Sequence, residues 1–206
     1  MNQLPPDILS IVVPIAIVLL SLTVHEAAHA WTADRLGDST ARMLGRVSLN
    51  PIVHIDFIGT ILLPLFAAIS NLPIIGWAKP VPVNTSRLPH PQRDFMFIAA
   101  AGPISNILLA VLGAAAVALT ATPSYGASPL LQFVEINILL AMFNLVPVPP
   151  LDGGNVLAGL LPPAAAESFN RLRPFGIIIL YAMMFTGILS ALIMPPARFL
   201  WGILIP

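Results

Sequence analysis

The stretch LLSLTVHEAAHAW, residues 19 to 31, places two histidines and a glutamate inside an almost uncharged apolar run. Residues four apart on a helix lie on one face about one turn from each other, so His25 and His29 can both reach one ion. Glu26 lies about 100° round the helix from His25, near enough to act as a base toward water at that ion without binding the ion. The pattern H-E-x-x-H therefore supplies two metal ligands and one base.

The alternative is that these three residues only form hydrogen bonds between packed helices. Placing one ionisable group in hydrocarbon costs about 2.5 to 3.5 kcal/mol on insertion scales, and clustered ionisable groups inside a membrane mark functional sites. A metal ion accounts for all three residues together, which favours a metal site.

The composition indicates a membrane protein. Of 206 residues, 57% are hydrophobic and 9% are charged, whereas soluble domains carry about a quarter charged residues. The nine Lys and Arg balance the nine Asp and Glu, and no basic patch favours nucleic acid as a partner. Because the chain has no cysteine, histidines and carboxylates must hold any transition metal.

The N-terminal apolar run has two features of a signal peptide, namely the apolar core at residues 8–22 and the small-x-small sequence AHA at 28–30. However, the preceding MNQLPPD has no Lys or Arg, and the apolar pattern continues as a full-length helix to about Ala33. We therefore expect a retained membrane span.

We predict an all-α polytopic membrane protein in which residues 1–206 form a single integral-membrane domain with about four to five transmembrane helices. Residues 57–72 are expected to be re-entrant or tilted, because about 16 apolar residues with a central proline are too short for a comfortable crossing. Short membrane-associated strands or a hairpin are expected within residues 38–56 and 73–94. The predicted spans are residues 8–33, 95–121, 130–146 and 175–194.

If the metal is zinc, two histidines need a third ligand and an open position. The candidates are Glu135, Asp152 and His54. Asp152 lies in FNLVPVPPLDGG, residues 143–154, where prolines end a helix and two glycines permit a sharp turn. It could equally be the N-cap of the short helix that follows, and the residues alone leave both interpretations open.

Other polar residues have simpler explanations. His54 is expected to form a hydrogen bond within its loop, and Glu135 to pair or to face water, with an accessory role near the site as the alternative. Asn137 and Asn144 are seven residues apart and share a helix face. Interhelical hydrogen bonding accounts for Asn137, while a site role is favoured for Asn144.

Three motifs together resemble the site-2 protease family, the intramembrane zinc metalloproteases of peptidase family M50. They are HEAAH in the first span, AGPISN at 101–106 and FNLVPVPPLDGG at 143–154, and their order and rough spacing fit that family. The resemblance extends over most of residues 15–160. The stretch NPIVHID resembles the short prokaryotic type, and we expect no PDZ or CBS domain.

This resemblance implies that His25, His29 and Asp152 bind one zinc ion per chain and that Glu26 is the catalytic carboxylate. The implied activity is hydrolysis of peptide bonds in or near transmembrane segments of other membrane proteins, which are therefore the expected partners together with the lipid bilayer. The alternative function is a membrane zinc-binding or zinc-transport protein without proteolytic activity. A transporter would need ligands along a path, whereas this chain offers one compact set.

The resemblance also implies that Asn144 helps to position substrate or oxyanion, and that Asn106 lies near the site as a second, weaker candidate for this role.

The topology follows from the ligands. The third ligand can meet the histidines only if the spans 8–33 and 130–146 run in the same direction. The span 95–121 lies between them and reverses the direction once, so residues 57–72 cannot make another crossing and must enter and leave on one side. By the positive-inside rule that side is cytoplasmic, which predicts a multi-pass cell-membrane protein with an external N-terminus and an active site toward the cytoplasm. The positive residues then expected on that side are Arg35, Arg42, Arg46, Lys79, Arg87, Arg93, Arg171 and Arg173.

Overall fold

The structure is a computed structural model that describes residues 8–62, 69, 78–120 and 128–205. Regular structure in these ranges is helical and includes no strand, which confirms the predicted all-α class for the described residues. The α-helices are α1 (Ile8–Arg35), α2 (Thr40–Met43), α3 (Pro91–Leu119), α4 (Pro129–Asn144), α5 (Asp152–Leu160), α6 (Pro163–Asn170), α7 (Gly176–Phe185) and α8 (Ile188–Leu204).

Short helical turns of other kinds lie between these helices. They are 3₁₀ turns at Pro51–His54, Thr85–Arg87 and Arg173–Phe175 and a π-helical turn at Phe57–Leu62. Apart from the π-helical turn and residue 69, the predicted re-entrant segment 57–72 lies outside the described residues, so its course stays a prediction.

The predicted interfacial strands do not occur in the part of the chain that the structure describes. Where the two interfacial segments meet, the N–H of Lys79 donates to the carbonyl of His54 at 2.8 Å. Pro80 and Pro82 follow directly and carry no N–H, so the segment cannot continue as a regular ladder beyond that bond.

Two helices are long and apolar enough to cross a membrane, α1 over Val12–Arg35 and α3. α4 is apolar but has 16 residues, fewer than the roughly 20 that a straight crossing needs. A third crossing arises if the chain from Pro163 to Leu204 forms one broken span, which bends by 76°. The described helices thus support two or three crossings and do not confirm the predicted four to five.

The predicted span 175–194 is not one helix. α7 ends at Phe185, and α8 begins at Ile188 and continues to Leu204. Between them Gly187 has a φ of +77°, in the left-handed region that glycine adopts without steric cost. The apolar run therefore bends at this glycine, and the tail beyond the predicted span is helical.

α1 and α3 pack side by side in opposite directions. Near the end of α1, His29 hydrogen-bonds to the carbonyl of Ile98, and one turn earlier His25 hydrogen-bonds to Asn106, further along α3. Residues earlier in α1 thus contact residues later in α3. The two helices are therefore antiparallel, as predicted for the corresponding spans.

α4 runs in the same direction as α1. Asn137, in the middle of α4, hydrogen-bonds to Ser21, and Asp152, just beyond the end of α4, lies beside His25. Residues later in α1 contact residues later in the chain of α4 and the turn after it. This order agrees with the parallel arrangement of the two spans that we expected from the ligands.

Small side chains let α3, α4 and α8 approach closely. A Cβ atom added at Gly113 would lie 2.8 Å from a ring carbon of Phe133 and 2.9 Å from a methyl of Val134, so only glycine allows this approach. Small residues serve the same purpose at other helix contacts in membranes. The buried cluster between the three helices consists of Ala110, Ala114, Val134, Ile138 and Ala197.

The chain between α1 and α3 begins and ends at the same end of the bundle. Ala33, Leu88 and Ile98 pack in one buried cluster, and a carboxylate oxygen of Asp38 accepts a hydrogen bond from the N–H of Asn84. This arrangement is the one that a re-entrant connection requires.

Candidate metal centre

His25 and His29 lie one turn apart on α1, as their spacing predicts. Their Nε2 atoms are 3.0 Å apart, and both residues are buried, at 3% and 8% exposure. Each ring is held by its other nitrogen. The Nδ1 atom of His25 contacts Oδ1 of Asn106 at 2.6 Å, and that of His29 contacts the carbonyl oxygen of Ile98 at 2.6 Å.

Asp152 completes a compact cluster with the two histidines. Its Oδ2 atom lies 3.1 Å from Nε2 of His25 and 3.3 Å from Nε2 of His29. The aspartate is the first residue of α5, and the N-cap position is Leu151. The side chain therefore faces the histidines from within the helix rather than from the cap position.

The two glycines after Asp152 allow the start of α5 to pack closely against the segment that follows α4. A Cβ atom at Gly153 would overlap the carbonyl of Leu145, and one at Gly154 would lie 2.7 Å from backbone atoms of Val148 and Pro149. The turn of backbone that follows α4 therefore lies directly against the start of α5, and this contact presents Asp152 to α1.

The hydrogen bonds of the two rings indicate what the cluster can bind. The carbonyl of Ile98 can only accept, so a neutral His29 carries its proton on Nδ1 and presents a lone pair at Nε2. Asn106 Oδ1 has the same effect on His25. Oδ2 of Asp152 is buried and has no hydrogen-bond partner among the described residues. With both histidines neutral, three lone pairs converge at this point, which fits a bound cation.

The spacing of these atoms fits zinc. Two ligand atoms about 2.0 to 2.1 Å from a tetrahedral zinc lie roughly 3.3 Å from each other, and the three observed separations are 3.0, 3.1 and 3.3 Å. Within the described residues this is the one group of three or more histidine, aspartate and glutamate side chains close enough to share a metal.

Gly102 on α3 forms one wall of the centre. A Cβ atom at this position would overlap the Nε2 atoms of both histidines, so any larger residue would enter the space beside the ligand atoms. The sequence signal was the motif AGPISN, from which we expected Asn106 near the site and assigned no role to Gly102.

Glu26 is also buried, at 9% exposure, and a buried cation lies near it. Arg46 is 5% exposed, its guanidinium donates to the carbonyl of Lys79, and its Nε has no partner among the described residues. Burial lowers the pKa of Arg46, and the negative charge of Glu26 acts in the opposite direction. Sequence reasoning treated Arg46 only as an interfacial charge.

The remaining predicted residues lie in different settings. The structure places Asn106 against His25, fully buried, whereas Asn144 is half-buried at the end of α4 and donates to the carbonyl of Leu140 at 3.0 Å. His54 forms the expected loop hydrogen bond, to the carbonyl of Ser48 at 2.8 Å. Glu135 is exposed on α4 and, like His54, is not part of the described cluster.

Proteins similar to this chain carry names that indicate the same chemistry. The sequence profile of peptidase family M50 matches residues 120–187. "Putative zinc metalloprotease YwhC" of Bacillus subtilis (strain 168) is 35% identical over 189 residues, which cover 86% of this chain and 82% of that protein.

Two further relatives are named "Putative zinc metalloprotease Rip2". Those of Mycolicibacterium smegmatis and of Mycobacterium tuberculosis (strain ATCC 25618 / H37Rv) are 29% and 30% identical to this chain. Each alignment covers 84% of this chain and 66% of the relative. No solved structure matches the chain.

Proposed function

Because this chain belongs to peptidase family M50, the site-2 protease family of metalloproteases, we propose that it is an intramembrane zinc protease that hydrolyses peptide bonds in or near transmembrane segments of other membrane proteins. The observation that carries this proposal is the cluster of the buried His25 and His29 with the partly buried Asp152, in which both histidines and Glu26 lie on a helix that is long and apolar enough to span a bilayer.

The three residues of the cluster would hold one zinc ion per chain. When bound there, zinc supplies a Lewis acid that polarises a peptide carbonyl and makes water more acidic. The two histidines offer neutral nitrogen ligands and Asp152 offers one carboxylate oxygen, so the set leaves a position open for chemistry.

Glu26 is the proposed general base and general acid. Its carboxylate accepts a proton from the attacking water and later returns that proton to the leaving amine. Arg46, buried in the loop after α2, is near enough to Glu26 for the two opposite charges to interact.

Asn144 is proposed to hold the substrate backbone or the oxyanion that develops during attack. An amide nitrogen has two N–H groups, and the structure uses the Nδ2 atom in a bond to Leu140, one turn back in the same helix. A second N–H can therefore donate to substrate, as preorganised donors do at other oxyanion sites.

The positions of the site residues support this substrate class. The ligands come from α1 and from the start of α5, and α1 and α3 are the helices suited to crossing a bilayer. A peptide bond brought to this cluster therefore comes from a chain in or beside the membrane. The proposed partners are membrane proteins with a transmembrane segment.

A zinc carrier is the rival function. A transport path would need further ligands along its length, whereas the described residues form one compact cluster. A carrier also has no need for the glutamate of the H-E-x-x-H pattern.

One experiment separates the two functions. The purified protein is incubated in liposomes with a tagged single-span substrate, with a chelator, and with zinc added back. We expect cleavage that the chelator stops and zinc restores, and no cleavage by Glu26→Gln at unchanged zinc content. Zinc uptake into the liposomes without cleavage of any substrate in a panel of single-span proteins would favour the carrier, and cleavage by Glu26→Gln would refute the proposed base.

A further inference from the structure

A chain of buried side chains connects His25 to two other helices. Nδ1 of His25 contacts Oδ1 of Asn106 on α3, and Nδ2 of Asn106 donates to Oδ1 of Asn137 on α4 at 2.9 Å. Nδ2 of Asn137 in turn donates to the hydroxyl of Ser21 on α1 and to the carbonyl of Phe133, both at 2.9 Å. Asn106, Asn137 and Ser21 are fully buried.

The direction of every bond in this chain is determined by one end. The carbonyl of Phe133 can only accept, so the nitrogen of the Asn137 amide must face it. The oxygen of Asn137 then faces Asn106, which must offer its nitrogen. The carbonyl of Ser21, 3.4 Å from Nδ2 of Asn106, requires the same orientation. Reversing either amide would bring two donors or two acceptors together.

The orientation of Asn106 determines which nitrogen of His25 carries the proton. Its amide oxygen faces Nδ1, so the neutral ring must donate from Nδ1 and leave a lone pair at Nε2. That lone pair is the one that faces Asp152 and His29. Partners of this kind behind a metal-binding histidine orient the ring, and their loss typically weakens metal binding about 10- to 100-fold.

We infer that Asn137 is a positioning residue of the metal centre, which acts through the amide of Asn106 to hold the imidazole of His25 with its Nε2 lone pair toward the metal. Ser21 assists by accepting the second N–H of Asn137. This inference rests on the proposed zinc site and extends it to α4, a helix that contributes no ligand of its own.

Asn137 makes more bonds than helix packing requires. One partner would suffice for an interhelical hydrogen bond inside a membrane. Asn137 instead uses its oxygen and both N–H groups on three partners. With Leu at position 137, the amide of Asn106 would lose the closer of its two acceptors, and only the carbonyl of Ser21 at 3.4 Å would still favour its direction.

The test compares Asn137→Leu with Val134→Ala. Val134 is fully buried on the same helix, one turn earlier, and packs in the cluster with α3 and α8 without joining the hydrogen-bond chain. Zinc affinity is measured on purified protein by competition with a fluorescent chelator. We expect Asn137→Leu to bind zinc about 10- to 100-fold more weakly and Val134→Ala to bind as the wild type does.

One further measurement does not depend on how well the leucine variant folds, and another tests whether the two asparagines act through one chain. ¹⁵N-histidine NMR of the metal-free wild-type protein should show His25 with a proton on Nδ1, and a ring that carries its proton on Nε2 alone would overturn the inference. The double variant Asn106→Leu/Asn137→Leu should bind zinc no more weakly than Asn106→Leu alone, because both residues act on the metal through one chain.

Equal zinc affinity of Asn137→Leu and Val134→Ala would overturn the inference and leave Asn137 as a packing residue. Failure of the wild-type protein to bind zinc would instead refute the proposed metal site.

Discussion

Oδ2 of Asp152 lies 3.1 Å from Nε2 of His25, although the two residues belong to α5 and α1 and depend on α4 to meet. The carboxylate is brought there by the backbone turn after α4, and the histidine is held by Asn106 of α3. Formation of the metal centre therefore requires the packed helices, and any bound metal should stabilise that packing.

Zinc should raise the thermal stability of the protein. A ligand that binds only the folded state stabilises it by about 2.7 kcal/mol when its free concentration is 100 times its dissociation constant. We expect the unfolding temperature in detergent to rise when zinc is added to chelator-treated protein. His29→Ala should abolish this rise, and an equal rise in that variant would place the stabilising zinc elsewhere.

Asp152→Ala should lose tightly bound zinc, because only the two histidines then remain of the three ligands. Metal analysis of the purified variant measures the zinc content. Glu167→Ala is the control, since Glu167 is an exposed carboxylate whose side chain is 74% accessible. It pairs with Arg171, four residues later and directly after the end of α6. Stoichiometric, equally tight zinc in Asp152→Ala would mean that another residue is the third ligand.

Gly102→Ala should weaken zinc binding by at least about tenfold, since overpacking of a tight site costs about 1 to 3 kcal/mol and the added methyl overlaps both ligand nitrogens. The matched control is Gly202→Ala in α8, where an added Cβ meets nothing within 4 Å. Chelator competition measures both variants. Wild-type affinity in Gly102→Ala would show that α3 can move away from the histidines at little cost.

The sequence predicted the histidine pair because the spacing of His25 and His29 is a local property of one helix. The role of Asp152 could not be assigned from the neighbouring sequence. A helix cap and a metal ligand differ in what the side chain faces, and that depends on the packing of α4 against α1. Asn137 forms the predicted interhelical hydrogen bond, but its connection to His25 exists only where three helices meet.

The ends of the helices were harder to predict within apolar runs, because an apolar composition does not show where the backbone bends. Residues 175–194 read as one apolar run, and a glycine inside such a run is common in membrane helices. Only the packed structure shows that Gly187 adopts a positive φ and ends α7. Pro80 and Pro82, by contrast, were visible in the sequence, and we still expected a strand or hairpin there although neither proline has an N–H for a ladder.

Arg46→Gln should lower the rate of proteolysis while zinc content stays unchanged, because this buried cation lies near the proposed base and not among the ligands. We expect a loss of about tenfold or more in kcat, since about 1.4 kcal/mol in the barrier is tenfold in rate and opposite charges at close range interact by more than that where water is scarce. Arg42→Gln is the control, since Arg42 lies in the same region, is 61% accessible and pairs with Asp34, and exposed pairs contribute about 0 to 1 kcal/mol. Equal rates for both variants would exclude a role for Arg46 in the reaction.

One end of the bundle collects the segments that carry most of the positive charge. Asp38, after α1, bonds to Asn84 before α3, and Gln92 at the start of α3 donates to the carbonyls of Ala158 and Leu161 at the end of α5. By the positive-inside rule we expect this end to face the cytoplasm.

The last prediction tests that orientation by labelling in intact cells. The chain has no cysteine, so single cysteines at Ser86, Ser168 and Ser124 give no background. Ser86 and Ser168 are exposed and lie in the segments next to the charged end. Ser124 is outside the described residues, and we expect it on the opposite side because it follows α3 in the sequence. An impermeant thiol reagent should label only position 124, and all three positions should react after the cells are opened. Labelling of Ser86→Cys in intact cells would place the charged end outside and refute a cytoplasmic active site, even if the metal centre itself is correct.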